Sequence, residues 1–187
     1  EPLANLILLQ KMTETPLEEA KKYINPEKEV NTAEDALNGA KDILAESVSD
    51  NADFRTHIRE LTMKHGQLLS AAKDPEAESV YEMYYEFSES LSKLAGHRIL
   101  AISRGEKEKF LTVKIDAPVD RILSYLDRKL ITAPSAPTAA VLHEVTEDAY
   151  NRLIAPAIER EIRSDLFEKA EDGAIRVFGK NLEQLLM

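Results

Sequence analysis

Basic side chains crowd together once in this chain, between residues 93 and 114, where Lys93, Arg98, Arg104, Lys107, Lys109 and Lys114 stand against Glu106 and Glu108 for a local net charge of +4. His97 lies among them. Two kinds of chemistry suit such a set. Clustered lysine and arginine can neutralise a phosphate backbone, and the same groups can tie a helix end into its own protein. His97 and Arg104 are seven residues apart, so they share one face of a helix whose apolar stripe is Leu91, Leu94, Ala95, Ile99 and Ile102. Arg98 falls between Leu94 and Ile102 on the inward side, where a guanidinium pairs with a carboxylate or with backbone carbonyls. Arg104 and Lys107 also suit the negative end of the helix dipole, and Gly105 fits a C-terminal cap. Arg98 and Gly105 are therefore read as structural anchors. Lys93, His97, Arg104, Lys107, Lys109 and Lys114 are the candidate contacts to nucleic acid or a partner.

The other constellations are poorer. His143-Glu144 with Glu147 puts one imidazole and a carboxylate on one helix face, without the second histidine of the zinc-protease pattern. Asp50-Asn51-Ala52-Asp53 has no central glycine, and Leu61 stands where a calcium loop needs a bidentate glutamate. Among 34 Asp and Glu, a single carboxylate pair says little about acid–base work. There is no glycine-rich phosphate loop. No catalytic, cofactor-binding or metal-ligating set is expected, and the chain is not read as an enzyme.

The bulk composition agrees. The 187 residues are 43% hydrophobic and lack cysteine, which removes disulfides, thiolate zinc sites and cysteine nucleophiles and fits a reducing cytosol. A net charge of -10 opposes general nucleic-acid affinity. Residues 1–92 carry all of that excess, and residues 93–187 are balanced. The longest apolar run, Leu6 to Leu9, is far below the roughly 18 residues of a membrane span. The start at Glu1-Pro2, inside an amphipathic pattern, reads as part of a longer polypeptide.

The elements that position these residues are mostly helical. Leu3, Leu6, Ile7 and Leu9 predict a short helix, and Thr15-Pro16 starts a second with Leu17, Ala20 and Ile24 inward. Thr32 with Asp35 resembles a capping box before a helix through Val48. Asp50 or Asn51 caps the next, which Gly66 ends. Tyr81, Tyr84, Tyr85 and Phe87 predict a helix that buries large rings. Leu111, Val113 and Ile115 alternate with Thr112 and Lys114 as in a half-buried strand, whose partner must be the "GQLLSAA" segment ending at Ala72. The expected fold is a mostly α, elongated helical bundle with a small two-stranded β ribbon (about 67–72 and 110–115) and a long C-terminal helix. Residues 1–131 form the body, "TAPSAPT" (132–138) is a linker, and 139–187 is a long helix kinked at Pro156 that leads to a following domain.

Three segments together resemble the bacterial Tex family of transcription accessory proteins, which is related to a eukaryotic transcription elongation factor. They are "EPLANLILLQ" with "PLEEAKKYINPEKEVNTAEDALNGAKDILAE", then "YYEFSESLSKLAGHRILAISRGEKEKFLTVKI", and "EDAYNRLIAPAIEREIRSDLFEKAEDGAIRVFGKNLEQLL". His97-Arg98 followed by Arg104-Gly105-Glu106 is the most specific part. The resemblance implies an internal helical segment of the N-terminal part, followed in family members by an RNase-H-like domain, helix-hairpin-helix elements and an oligonucleotide-binding-fold RNA-binding domain, with the hand-over near Met187. Two departures are local: the acidic "KDPEAES" replaces a Lys- and Gly-rich segment, and Ala95-Gly96 replaces Pro-Ser.

The resulting expectation is a non-catalytic scaffold segment of a cytoplasmic protein whose full-length form binds nucleic acid, mainly through modules absent here, and meets the transcription machinery. Direct nucleic-acid contact through residues 93–114 is the first alternative. A metal-dependent hydrolase built on His143 is the second.

Overall fold

The computed structural model describes residues 1–186; the expected hand-over at Met187 lies outside the described residues. The chain divides into two compact units, Glu1–Ile58 with Val119–Pro156, and Arg59–Pro118 with Ala157–Met187. Helix dominates both.

The first unit holds α1 (Pro2–Leu9), α2 (Pro16–Ala20), α3 (Ala33–Asp50), the opening turns of α4 (Ala52–His65), α6 (Val119–Leu130) and α7 (Thr138–Asp148). Thr32 Oγ1 accepts the Asp35 N–H, and the Asp35 carboxylate accepts the N–H of Asn31, so the capping box closes one residue early. Asn51 caps α4 through the Phe54 N–H. Ile7, Leu44, Ile58, Ile122, Leu126 and Leu142 form the core of this unit. Leu17 and Ile24, expected inward, are instead about two-fifths exposed: α2 buries Pro16 and Ala20, and it stops at Ala20 before a tight turn over Lys21–Tyr23, so its spacing does not carry on to Ile24.

Gln10 does unusual work for a polar residue. It ends α1 in the left-handed region (φ 56°) and is almost wholly buried. Its Nε2 donates to the Leu130 carbonyl at 2.8 Å, and its Oε1 accepts from Thr132 N at 2.8 Å and Ala133 N at 3.1 Å. One side chain thus satisfies the C-terminal end of α6 and the start of the proline-rich connection to α7. Gln10→Ala leaves those buried groups unpaired and is expected to cost about 1–3 kcal/mol, read from the urea midpoint.

Between α7 and α8 (Ala155–Leu186) the helix widens into a π segment over Ala149–Ile154. The Ala155 N–H reaches back five residues, to the Tyr150 carbonyl. Pro156 explains this. A proline has no N–H for the carbonyl four residues before it, and its ring crowds that carbonyl, so an extra residue in the preceding turn relieves the clash.

The second unit holds the last turns of α4, a sheet, α5 (Gly96–Lys107) and α8 from Ala157. The expected two-stranded ribbon is a three-stranded antiparallel sheet. β1 (Gln67–Ala72) pairs with β3 (Leu111–Asp116) on one edge and with β2 (Glu86–Ser90) on the other. The aromatic segment supplies that third strand. Tyr81, Tyr84 and Tyr85 span a single tight turn over Glu82–Tyr84, and Phe87 then lies in the ladder opposite Ser70. β1 had two open edges, and an edge of unpaired N–H and C=O groups favours an added strand. Leu111 and Val113 are buried while Thr112 and Lys114 face out. Val113 lines a small cavity together with Ile99 of α5 and Leu166 and Phe167 of α8. No helix among the described residues is long and apolar enough to cross a membrane.

Candidate functional site

α5 starts after Ala95, whose extended backbone offers no side-chain cap, and runs to Lys107. Gly105 is therefore not the cap residue; it sits inside the last turn. The stop is a Schellman motif: Lys109 adopts φ 67°, its N–H reaches the Glu106 carbonyl at 3.1 Å, and the Phe110 N–H reaches the Gly105 carbonyl at 2.9 Å. Lysine thus occupies the left-handed position that glycine usually takes. Gly105 has another role. A Cβ built there would stand 2.5 Å from Leu111 Cδ1 and 3.1 Å from the Tyr81 ring, so the absence of a side chain is what lets β3 lie against α5.

Tyr81 closes this corner. Its ring is buried and tilted against Phe110, and its hydroxyl donates to the Glu108 carboxylate. That hydrogen bond, helped by burial, raises the phenol above its ordinary value of 10.0. A raised folded value favours the protonated phenol in the native state. The associated stability is fully present below pH 10 and is lost as pH rises through the higher folded value. Tyr81→Phe is accordingly expected to flatten the fall of stability above pH 10, measured by urea unfolding at stepped pH; Tyr125, raised by burial and then by Asp53, keeps a residual slope.

Arg98 lies with its guanidinium 5.5 Å above the Phe87 ring and 3.9 Å from the Glu89 carboxylate, two neighbours supplied by β2. Of the outer residues, Lys93 is exposed in the turn after β2, His97 is exposed at the start of α5, and Lys114 projects from β3 in register with Leu69. Lys109 is exposed in the C-terminal turn. Arg104 and Lys107 come together: both line a groove between α5 and α8, and Lys107 Nζ stands 5.7 Å from the centre of the Phe167 ring. Arg163 of α8 pairs with Glu106 on α5, an ion pair for which the sequence carries no signal, since the residues are 57 apart.

In the first unit His143 sits between carboxylates. Nδ1 is 2.8 Å from Asp127 and Nε2 is 3.9 Å from Glu147. The Thr146 hydroxyl donates to the same Asp127 carboxylate at 2.6 Å. This arrangement ties α6 to α7. The nearby hydroxyl is engaged as a donor to the carboxylate, not poised as a nucleophile on the imidazole. Among the described residues no group of three or more His, Asp and Glu is arranged to hold a metal ion.

Residues 11–178 match the family model described as Tex central region-like. The chain belongs to the Tex family. It is 47% identical over its whole length to the uncharacterized protein YdcI of Bacillus subtilis, of which it covers 26%. It is 36% identical over its whole length to Protein tex of Bordetella pertussis, covering 25% of that protein. Over 88% of this chain it is 32% identical to the Homo sapiens S1 RNA-binding domain-containing protein 1, covering 18% of it. The chain thus spans about a quarter or less of the length of these relatives. Of the three sequence segments that resemble Tex proteins, the middle one folds as β2, α5 and β3, and it places His97-Arg98 and Arg104-Gly105-Glu106 on a single helix.

Proposed function

We propose that this chain is a non-catalytic scaffold segment of a Tex-type transcription accessory protein, one that sets the spacing of nucleic-acid-binding modules lying elsewhere in the parent polypeptide. The observation that carries the proposal is the match of residues 11–178 to a Tex central region, in relatives several times longer than this chain. The chemistry is in keeping. The candidate basic residues are dispersed over a turn, a helix, a cap and a strand, whereas a phosphate-binding surface gathers its cations along one track. Three of the arginines in the second unit are engaged with carboxylates of the same unit. The relative with an S1 RNA-binding domain in its name supports RNA or a related nucleic acid as what the parent protein binds. A cytoplasmic setting near the transcription machinery follows from the same reading.

Titration of the 187-residue chain with a labelled single-stranded RNA and a duplex DNA at low salt tests it. Scaffold function predicts no salt-sensitive rise in anisotropy. Binding that falls with salt, and that Arg104→Ala and Lys107→Ala weaken, would replace the scaffold with direct contact through residues 93–114.

A further inference from the structure

α8 carries two glycines that no contact explains. Elsewhere in the second unit Gly66, Gly96 and Gly105 each lie against a neighbour: a Cβ there would stand 2.4 Å from the Thr62 carbonyl oxygen, 3.5 Å from Ala170 Cα and 2.5 Å from Leu111 Cδ1. Gly173 and Gly179 have nothing within 4 Å of where a Cβ would be, and neither has a positive φ. Each glycine lowers helix propagation roughly fivefold relative to alanine. Gly39 is as open, but it sits in α3, whose Ala40, Leu44 and Val48 are buried. α8 lacks that support at this end, since Ala170 is its last buried residue and the side chains from Glu171 onward are exposed. The neighbouring residues add little. Ile175, Val177 and Phe178 are poorer helix formers than alanine or leucine. Asp172 and Arg176, four apart, support the helix, but Arg176 and Lys180, also four apart, oppose it. Glu183 stands in the last turn, at the negative end of the dipole, where no basic residue balances it.

We infer that residues 171–186 are a conditional helix, which exchanges between helix and coil with Gly173 and Gly179 setting the balance. Most helical stability in proteins comes from a packed face. The proximal turns of α8 have one, so they supply the nucleus, and the distal turns extend from it one residue at a time. Each step across a glycine is unfavourable, and two in series lower the equilibrium constant for the complete helix about 25-fold relative to alanine at the same positions. The break falls at Gly173, just past the last buried side chain. A segment held this near balance is a rod when its helix is closed and a tether when it is open, and a small change in its surroundings selects between the two. The inference stands apart from the scaffold reading, because it concerns the segment's own equilibrium and holds whatever the parent protein does.

Amide hydrogen exchange of the 187-residue chain, read residue by residue by NMR, tests it. Amides of residues 174–186 are expected to exchange within about tenfold of the unprotected rate, while those of Ile158 and Ile162 are slowed more than about a thousandfold. Gly173→Ala with Gly179→Ala should raise the protection of residues 174–186 about tenfold. The same variant should leave Ile158 and Ile162 unchanged, which shows that it is folded. Distal amides protected as well as the proximal ones in the unsubstituted chain overturn the inference, because the helix is then stable unaided. Distal protection that the two alanines leave unchanged overturns it as well, since the glycines then do not set the balance.

Discussion

Gly105→Val is expected to destabilise the second unit by about 3 kcal/mol, as overpacking of a filled corner does. The position is inside α5, at ordinary helical backbone angles, so the cost does not come from the backbone. It comes from Leu111, which is fully buried and whose Cγ and Cδ1 would lie 2.9 Å and 2.5 Å from a new Cβ. Tyr81 blocks the remaining way out at 3.1 Å. Valine gains only a few tenths of a kcal/mol over glycine in helix propensity, roughly an order of magnitude less than the clash. The mechanism is separable from a capping role by a double-mutant cycle. Leu111→Ala alone should cost about 2–5 kcal/mol through the cavity it leaves. The pair Gly105→Val with Leu111→Ala should be less damaging than the sum by about 1–2 kcal/mol, because the new valine fills part of that cavity. Additive losses in urea unfolding would mean that Gly105 matters for the chain reversal and not for contact with β3.

Gly105 also shows where the sequence stops being informative. A glycine near the end of an apolar helical pattern is read as a cap, since the local rule is all that the sequence offers. The helix instead closes on Lys109 in the left-handed region, and the glycine is required by a residue that arrives later in the chain. The same limit explains β2. Tyr81, Tyr84 and Tyr85 have helical spacing, and one tight turn satisfies that spacing as well as a long helix would. The alternation of Leu111 and Val113 with Thr112 and Lys114, by contrast, was enough to find β3 and its partner in β1, because period-two burial has few other causes. Thr32 with Asp35, Asn51 and Gly66 were legible for a similar reason: their hydrogen bonds are local. For the candidate site, helical spacing put His97 and Arg104 on the outer face of α5. The surroundings of Arg98 depend on β2, and the contact of His143 with Asp127 links two helices. Nothing distinguishes Asp127 among 34 carboxylates until the chain is folded.

Ile162→Ala is the second large effect expected, a loss of about 2–5 kcal/mol from a side chain with no exposed surface. The contrast with Ile175→Ala gives it meaning. Ile175 stands thirteen residues beyond Ile162, on the opposite face of the same helix. Ile158, Ile162 and Ala170 are buried in the core of the second unit, and from Glu171 onward the side chains of α8 meet solvent. Ile175→Ala is therefore expected to change stability by no more than about 0.5 kcal/mol, the usual range for an exposed position. The proximal turns of α8 hold the fold, and the distal turns contribute little to it. A helix of 32 residues is about 48 Å long, and a small core can cover only part of that length. Unfolding of the two variants side by side in urea reads the difference. Comparable losses at both positions would show that the distal turns are packed as tightly as the proximal ones.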